Sequence, residues 1–174
     1  MAKSPRTESG ACAYVVGDDG LAQWSDTHAD AWIGLLETHK RLTRVLDAEM
    51  EAQHGLSLSA AEVLGRLAAA DERCLRLSSL AEETALSLSR ISRIVDALEQ
   101  RKLVLRKSAE GDGRGVMAHL TDAGLALIRQ AQADHFASVQ ERFFDQLSPA
   151  EIQLLADVFS RFAPNAAGAC SPED

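Results

Sequence analysis

The sequence is short of aromatic residues, of cysteine, of long apolar runs and of net positive charge, and each shortage narrows what the chain can be. Aromatic side chains make up 5% of the 174 residues although 46% are hydrophobic. Leucine and alanine therefore carry most of the apolar content, and both lose little on entering a helix. No apolar stretch approaches the ~20 residues needed to span a bilayer, so no membrane partner is expected. The opening MAKSPRTESG holds no apolar segment of the kind a secretory leader carries, and none is expected. Cys12, Cys74 and Cys170 are odd in number, scattered and without metal-ligand spacing, which makes a reducing cytoplasm the expected compartment and the thiols incidental. The five histidines, at 28, 39, 54, 119 and 135, form no i,i+4 ligand pair, so no metal site is expected. Also missing are a phosphate-cradling glycine loop, a nucleophile elbow and a spaced carboxylate pair. No catalytic residue, no cofactor and no enzymatic activity are expected.

What is present is an uneven charge. The net charge is −8, yet residues 87–120 hold seven bases and four acids, a local +3 that leaves −11 elsewhere. At the centre of this segment stands SLSRISRIVDALEQRKLV, Ser87 to Val104. The spacing predicts a helix N-capped by Ser87, with Leu88, Ile91, Val95 and Leu98 inward and Ser89, Arg90, Ser92, Arg93, Asp96 and Ala97 outward. Short serines let a backbone approach a duplex closely. An arginine fork matches the O6 and N7 of guanine in the major groove. The ordinary alternative is a solvated face on which Arg93 pairs with Asp96 across one turn.

The surrounding elements favour the first reading. An amphipathic pattern from Asp26 to His54 (Trp32, Leu35, Leu36, His39, Leu42, Leu46, Met50) predicts one long helix closed by a left-handed Gly55. One small domain cannot easily bury all of it, whereas a partner chain can. SAAE (59–62) and SLAE (79–82) read as capping boxes opening two further helices, the second ending near Ala85 and joined to the Ser87 helix by a short turn. Two short helices so joined form a helix-turn-helix. The runs 103–107 and 116–120, separated by SAEGDGRG, predict a hairpin, and LRL (75–77) a short third strand. Thr121 caps a helix running to about Leu147, and SPAE (148–151) opens the last one. The fold expected is mainly α, a winged helix-turn-helix framed by terminal helices. Arg114 at the hairpin tip suits a minor groove, with Asp112 placed to hold its guanidinium.

LEQRKLV (98–104), DGR (112–114) and LTDAG (120–124) together resemble the MarR family (multiple antibiotic resistance regulators) over roughly residues 25–162. The resemblance implies a cytoplasmic, homodimeric, sequence-specific regulator of transcription, usually a repressor, bound to a pseudo-palindrome in double-stranded DNA. Polar, small-residue composition makes 1–24 and 164–174 expected flexible ends, and the resemblance implies a dimerisation helix at 25–56, a DNA-binding lobe at 57–120 and further dimerisation helices at 121–163. By position, Ser87, Ser89, Arg90, Ser92 and Arg93 would face the major groove, and Arg114, supported by Asp112, the minor groove. Many such regulators answer to small aromatic ligands, and Trp24, His28, Trp32 and His39 are the candidates here, although completing an interface core is the more general use of such residues. Two positions depart from the pattern: Lys102 stands where glycine is common, and Leu105 where a polar residue is usual. The competing expectation is a winged helix that contacts protein rather than DNA, which should have lost its outward arginines or gained exposed apolar residues.

Overall fold

The computed structural model describes residues 14–24, 26–108 and 115–162. The described residues form six α-helices and two small antiparallel sheets. The chain divides inside the first long helix, between Val45 and Leu46, into two compact units. Among the described residues no helix is long and apolar enough to cross a membrane.

Part of the stretch expected to be loose is ordered. Strands β1 (Tyr14–Val16) and β2 (Ala22–Trp24) pair antiparallel, with Tyr14 opposite Trp24. Gly20, at φ 77°, turns the chain, and the Asp19 carboxylate accepts a bond from the amide of Leu21. Helix α1 (Asp26–His54) has the 29 residues its periodicity predicted. Most of its apolar side chains lie open: Trp32, Ile33, Leu35 and Leu36 are all exposed, and only Met50 is buried. Gly55 closes it at φ 62°, its amide bonding to Glu51 O.

Helix α2 (Leu58–Ala69) starts two residues before the expected box. Ser57 is the cap, accepting from the amide of Ala60, and the Asp47 carboxylate takes the amide of Leu58 at 2.8 Å. With two orphan donors met upstream, Ser59 is released from capping, and Glu62 instead lies 3.8 Å from Arg66. Helix α3 (Leu77–Glu83) likewise ignores its serine and begins behind Arg76, with no side-chain cap. Its start is set by Leu77 and Leu80, both buried, since burying a leucine is worth ~1.5–3 kcal/mol against ~1 kcal/mol for a cap.

The turn to helix α4 (Leu88–Gln100) runs through Thr84, whose hydroxyl donates to Leu80 O at 2.6 Å, and Ala85 at φ 53°. Ser87 caps α4 as expected. Ile91, Val95 and Leu98 are buried, but Leu88 is 55% exposed. The turn lays Leu86 against the core in its place, and Leu88 projects beyond.

Strands β3 (Cys74–Arg76), β4 (Val104–Ser108) and β5 (Val116–Leu120) form the wing sheet in the order β3-β5-β4. Between α4 and β4, Lys102 N bonds to Glu99 O and Leu103 N to Leu98 O, a Schellman closure with Lys102 in the left-handed position at φ 61°. Thr121 caps helix α5 (Asp122–Arg142) by accepting from the amide of Gly124, while its hydroxyl lies 2.9 Å from Lys102 O and 3.0 Å from Leu103 O. Helix α5 stops short of Leu147, because the capping box on Ser148 holds Leu147 and Ser148 extended and a 3₁₀ turn (Phe144–Gln146) takes up the difference. That box, with Pro149 in the first turn, opens helix α6 (Pro149–Phe159) as read from the sequence.

Candidate nucleic-acid interface

Helix α4 is fixed by its apolar side and presents the other. Ile91 and Val95 are fully buried and Leu98 nearly so, so the opposite side of the helix must face outward. Ser87, Ser89, Arg90 and Arg93 are exposed there, and Ser92 is half-buried. The expected major-groove residues therefore share one side of one helix.

Four arginines on or beside α4 differ in how far the protein has already engaged them. Arg106, on β4, is committed inward: its guanidinium lies 2.7 Å from an Asp96 oxygen and donates to Ser92 O at 2.7 Å, while Glu99 accepts from its backbone amide at 2.9 Å. These bonds fasten β4 to α4 and occupy Asp96, which pairs with Arg106 and not with Arg93. Arg101, just past α4, donates to His54 O at 3.2 Å and also to Gly55 O, placing a cation at the carboxyl end of α1 where the helix dipole favours it. Arg90 donates to the Ser59 hydroxyl at 3.2 Å, across to the first turn of α2. Among the described residues Arg93 makes one long contact, on its own helix, Nε to Ser89 O at 3.4 Å. Of the basic residues that made 87–120 positive, Arg106 is half-buried and paired, Arg101 is exposed but tied to the end of α1, and Arg90 and Arg93 face solvent.

Sequence reasoning missed Ser59, Arg101 and Arg106. For Arg106 a signal existed: Asp96 and Glu99 stand three apart on a helix that precedes it by one tight turn, so a strand folding back brings its cation to both. Beside Arg90 and Arg93 an open groove of about 540 Å³ runs along α4, with Ser57 and Ala60 on its α2 side. Asp112 and Arg114 lie outside the described residues.

The effector candidates are spread out. Trp24, on β2, meets Tyr14 edge-on with ring centroids 5.9 Å apart; Trp32 is 52% exposed; His28 is exposed near the start of α1; His39 Nδ1 lies 3.5 Å from Thr43 Oγ1. None of the four lines the groove. Cys74 Sγ lies 3.3 Å from His119 Nε2 across β3 and β5, and burial, with Glu72 nearby, pushes its thiol up, against thiolate reactivity. Elsewhere Arg142 bonds to Glu49, tying α5 to the end of α1 and holding that carboxyl below the usual carboxylate range. His54, almost fully buried, lies 2.9 Å from Asp134 in the same region.

Residues 54–115 match the family model described as MarR family. Over 84% of this chain and 98% of the other, the fold matches AbsC, a MarR family transcriptional regulator from Streptomyces coelicolor, at 33% identity and a TM-score of 0.76. The chain belongs to the MarR family. A second MarR family regulator from Streptomyces coelicolor, Sco3205, solved in complex with DNA, is 27% identical with a TM-score of 0.77, covering 84% of this chain and 91% of that one. The HTH-type transcriptional regulator MhqR of Bacillus subtilis (strain 168) is 30% identical over 90 residues, 52% of this chain; the match spans 61% of MhqR. MarR proteins are transcriptional regulators rather than enzymes, and the winged helix found here is theirs.

Proposed function

We propose that this MarR protein is a cytoplasmic, sequence-specific regulator that binds double-stranded DNA as a homodimer on a pseudo-palindromic operator and acts as a ligand-responsive repressor. The observation that carries the reading is the solvent-facing side of α4, where Ser89, Arg90 and Arg93 stand exposed, while Arg106 is paired with Asp96 and Arg101 is tied to the end of α1. A winged helix turned to protein contacts is expected to lose these arginines or to gain exposed apolar residues; the arginines are kept, and Leu88 is the large apolar residue exposed on α4. Phosphate contacts supply affinity and base contacts supply choice. The acidic remainder is screened within ~10 Å at moderate salt and limits non-specific sticking.

Two copies supply what α1, α5 and α6 lack. Trp32, Leu35 and Leu36 on α1, Phe136 on α5, and Leu154 and Phe159 on α6 are exposed, more apolar surface than a monomer of this size normally leaves in water. Half-sites one turn apart are separated by ~34–36 Å, so a ligand that shifts the two recognition helices by a few ångströms releases the operator. A small aromatic ligand near Trp24, His28, Trp32 and His39 is the effector class proposed.

The test is fluorescence anisotropy with the duplex upstream of the protein's own gene and a scrambled control, across a range of salt. Selective binding with a steep salt slope is expected. A folded dimer that binds both duplexes alike, here and at neighbouring promoters, sinks the reading in favour of protein–protein contact.

A further inference from the structure

Arg90 and Arg93 are one turn apart, yet their surroundings equip them for different tasks. Arg90 reaches across to α2, where its Nη2 donates to Ser59 Oγ at 3.2 Å. That bond fixes the guanidinium over the gap between two helices and turns it away from the axis of α4. Four of its five N–H donors remain for an outside acceptor. The Ser59 hydroxyl, having accepted from a cation, is polarised to donate its own proton outward. The pair thus offers adjacent donors of one sign, joined across two elements, with no acidic side chain in the first turn of α2. Ser59 is free for this because Ser57 and Asp47 have taken over the cap.

Arg93 is arranged differently. Its contact to Ser89 O uses Nε and lies along its own helix, so neither Nη group takes part in it. A planar fork is what bidentate recognition of guanine O6 and N7 requires. A phosphate oxygen makes no such demand, and a point charge with a hydroxyl beside it suffices.

We propose that Arg90 and Ser59 form one clamp on a backbone phosphodiester, spanning α2 and α4, and that Arg93 alone of the two arginines reads a base. The assignment rests on the DNA-binding reading above and divides labour within it. The Arg90–Ser59 bond sets the approach of α4 to the duplex; Arg93 then meets a base edge at fixed height.

The experiment uses the full-length protein, a duplex selected from a random pool by the wild type, and every single-base-pair variant of that duplex, titrated at several salt concentrations. R90A should weaken binding to all duplexes by a similar factor, roughly tenfold, and lower the salt slope by ~1. R90K should recover most of that loss, since charge is kept. S59A should show a smaller uniform loss, and R90A with S59A should be little worse than R90A alone, because the two act through one contact. R93A should instead erase the preference at one base pair, by roughly 10- to 100-fold, and R93K should not restore it. Arg90 and Arg93 are exposed and Ser59 is half-buried without capping its helix, so thermal melts of all variants should match the wild type. If R90A relaxes preference at a single base pair, or if the R90A and S59A losses simply add, the clamp is wrong. A wild type that selects no duplex overturns the DNA reading and the clamp with it, and does so before any variant is made.

Discussion

The winged helix and the helices that flank it solve the problem of apolar surface in opposite ways. Every buried hydrophobic side chain among the described residues lies between Met50 and Ala131. The large exposed ones, apart from Leu88, Leu105 and Val116, all lie outside that span. The lobe closes its core with leucine, isoleucine and valine drawn from α2, α3, α4 and the wing, completed by Met50 from the end of α1 and Ile128 and Ala131 from the first half of α5. Beyond those contacts the flanks leave Trp32, Leu35, Leu36, Phe136, Leu154 and Phe159 in water. Hydrophobic content alone therefore does not report burial; what matters is whether a segment meets a complementary face within its own chain.

The contrast can be broken at its self-sufficient end first. Gly124 is packed so closely that an added Cβ would stand 2.2 Å from Leu103 O and 2.7 Å from Leu120 Cδ1, and the first of these is backbone that cannot swing aside. Gly124→Ala should cost more than ~4 kcal/mol, with loss of a cooperative urea transition; an unfolding midpoint near that of the wild type would refute the packing. Leu64→Ala, at a fully buried position, should cost ~2–5 kcal/mol by the same measurement. At the open end, Trp32→Asp should leave the lobe folded but weaken self-association by ~2 kcal/mol or more, read by sedimentation equilibrium as a shift from two 18.7 kDa chains toward one. An unchanged mass would show that Trp32 is not part of the covered face. The smallest effect should be a gain. Lys102→Gly relieves a left-handed residue bearing a Cβ and should stabilise by up to ~1 kcal/mol in urea unfolding, whereas a loss would mean the lysine side chain contributes something its backbone position does not reveal.

Much of this architecture was legible because its signals are local. The bounds of α1 follow from a long 3.6-residue period ending in glycine, and the caps at Ser87, Thr121 and Ser148 from hydroxyls followed by the right residues. Where two local signals competed, the stronger energy prevailed. At Ser79 a plausible cap lost to the burial of Leu77, and at Ser59 it lost to a neighbour two residues upstream that had a carboxylate, Asp47, to help it. The β1–β2 hairpin has a local signal in YVVGDDGLAQW, two short strand-forming runs about a glycine turn, set within a segment whose overall composition is polar and small. Leu88 shares the spacing of the buried stripe, but the path of the preceding turn, which the stripe does not encode, gives its place to Leu86. The site was legible as a set of residue types on one face. Which arginine is held inward was not, because Arg106 and Arg101 find their partners only once β4 and the end of α1 have come back against α4.

The tightness at Gly124 has a mechanical consequence. The amide end of α5 is pressed onto the carbonyl of Leu103, and Thr121 bonds to the same turn, so the start of this helix and the tail of α4 move as a single block. From that fulcrum α5 extends eighteen residues to Arg142, an arm of ~27 Å. Tilting such an arm by about 5° displaces its far end by roughly 2 Å. Arg142 grips Glu49 at that far end, so the same helix is held at both its root and its tip.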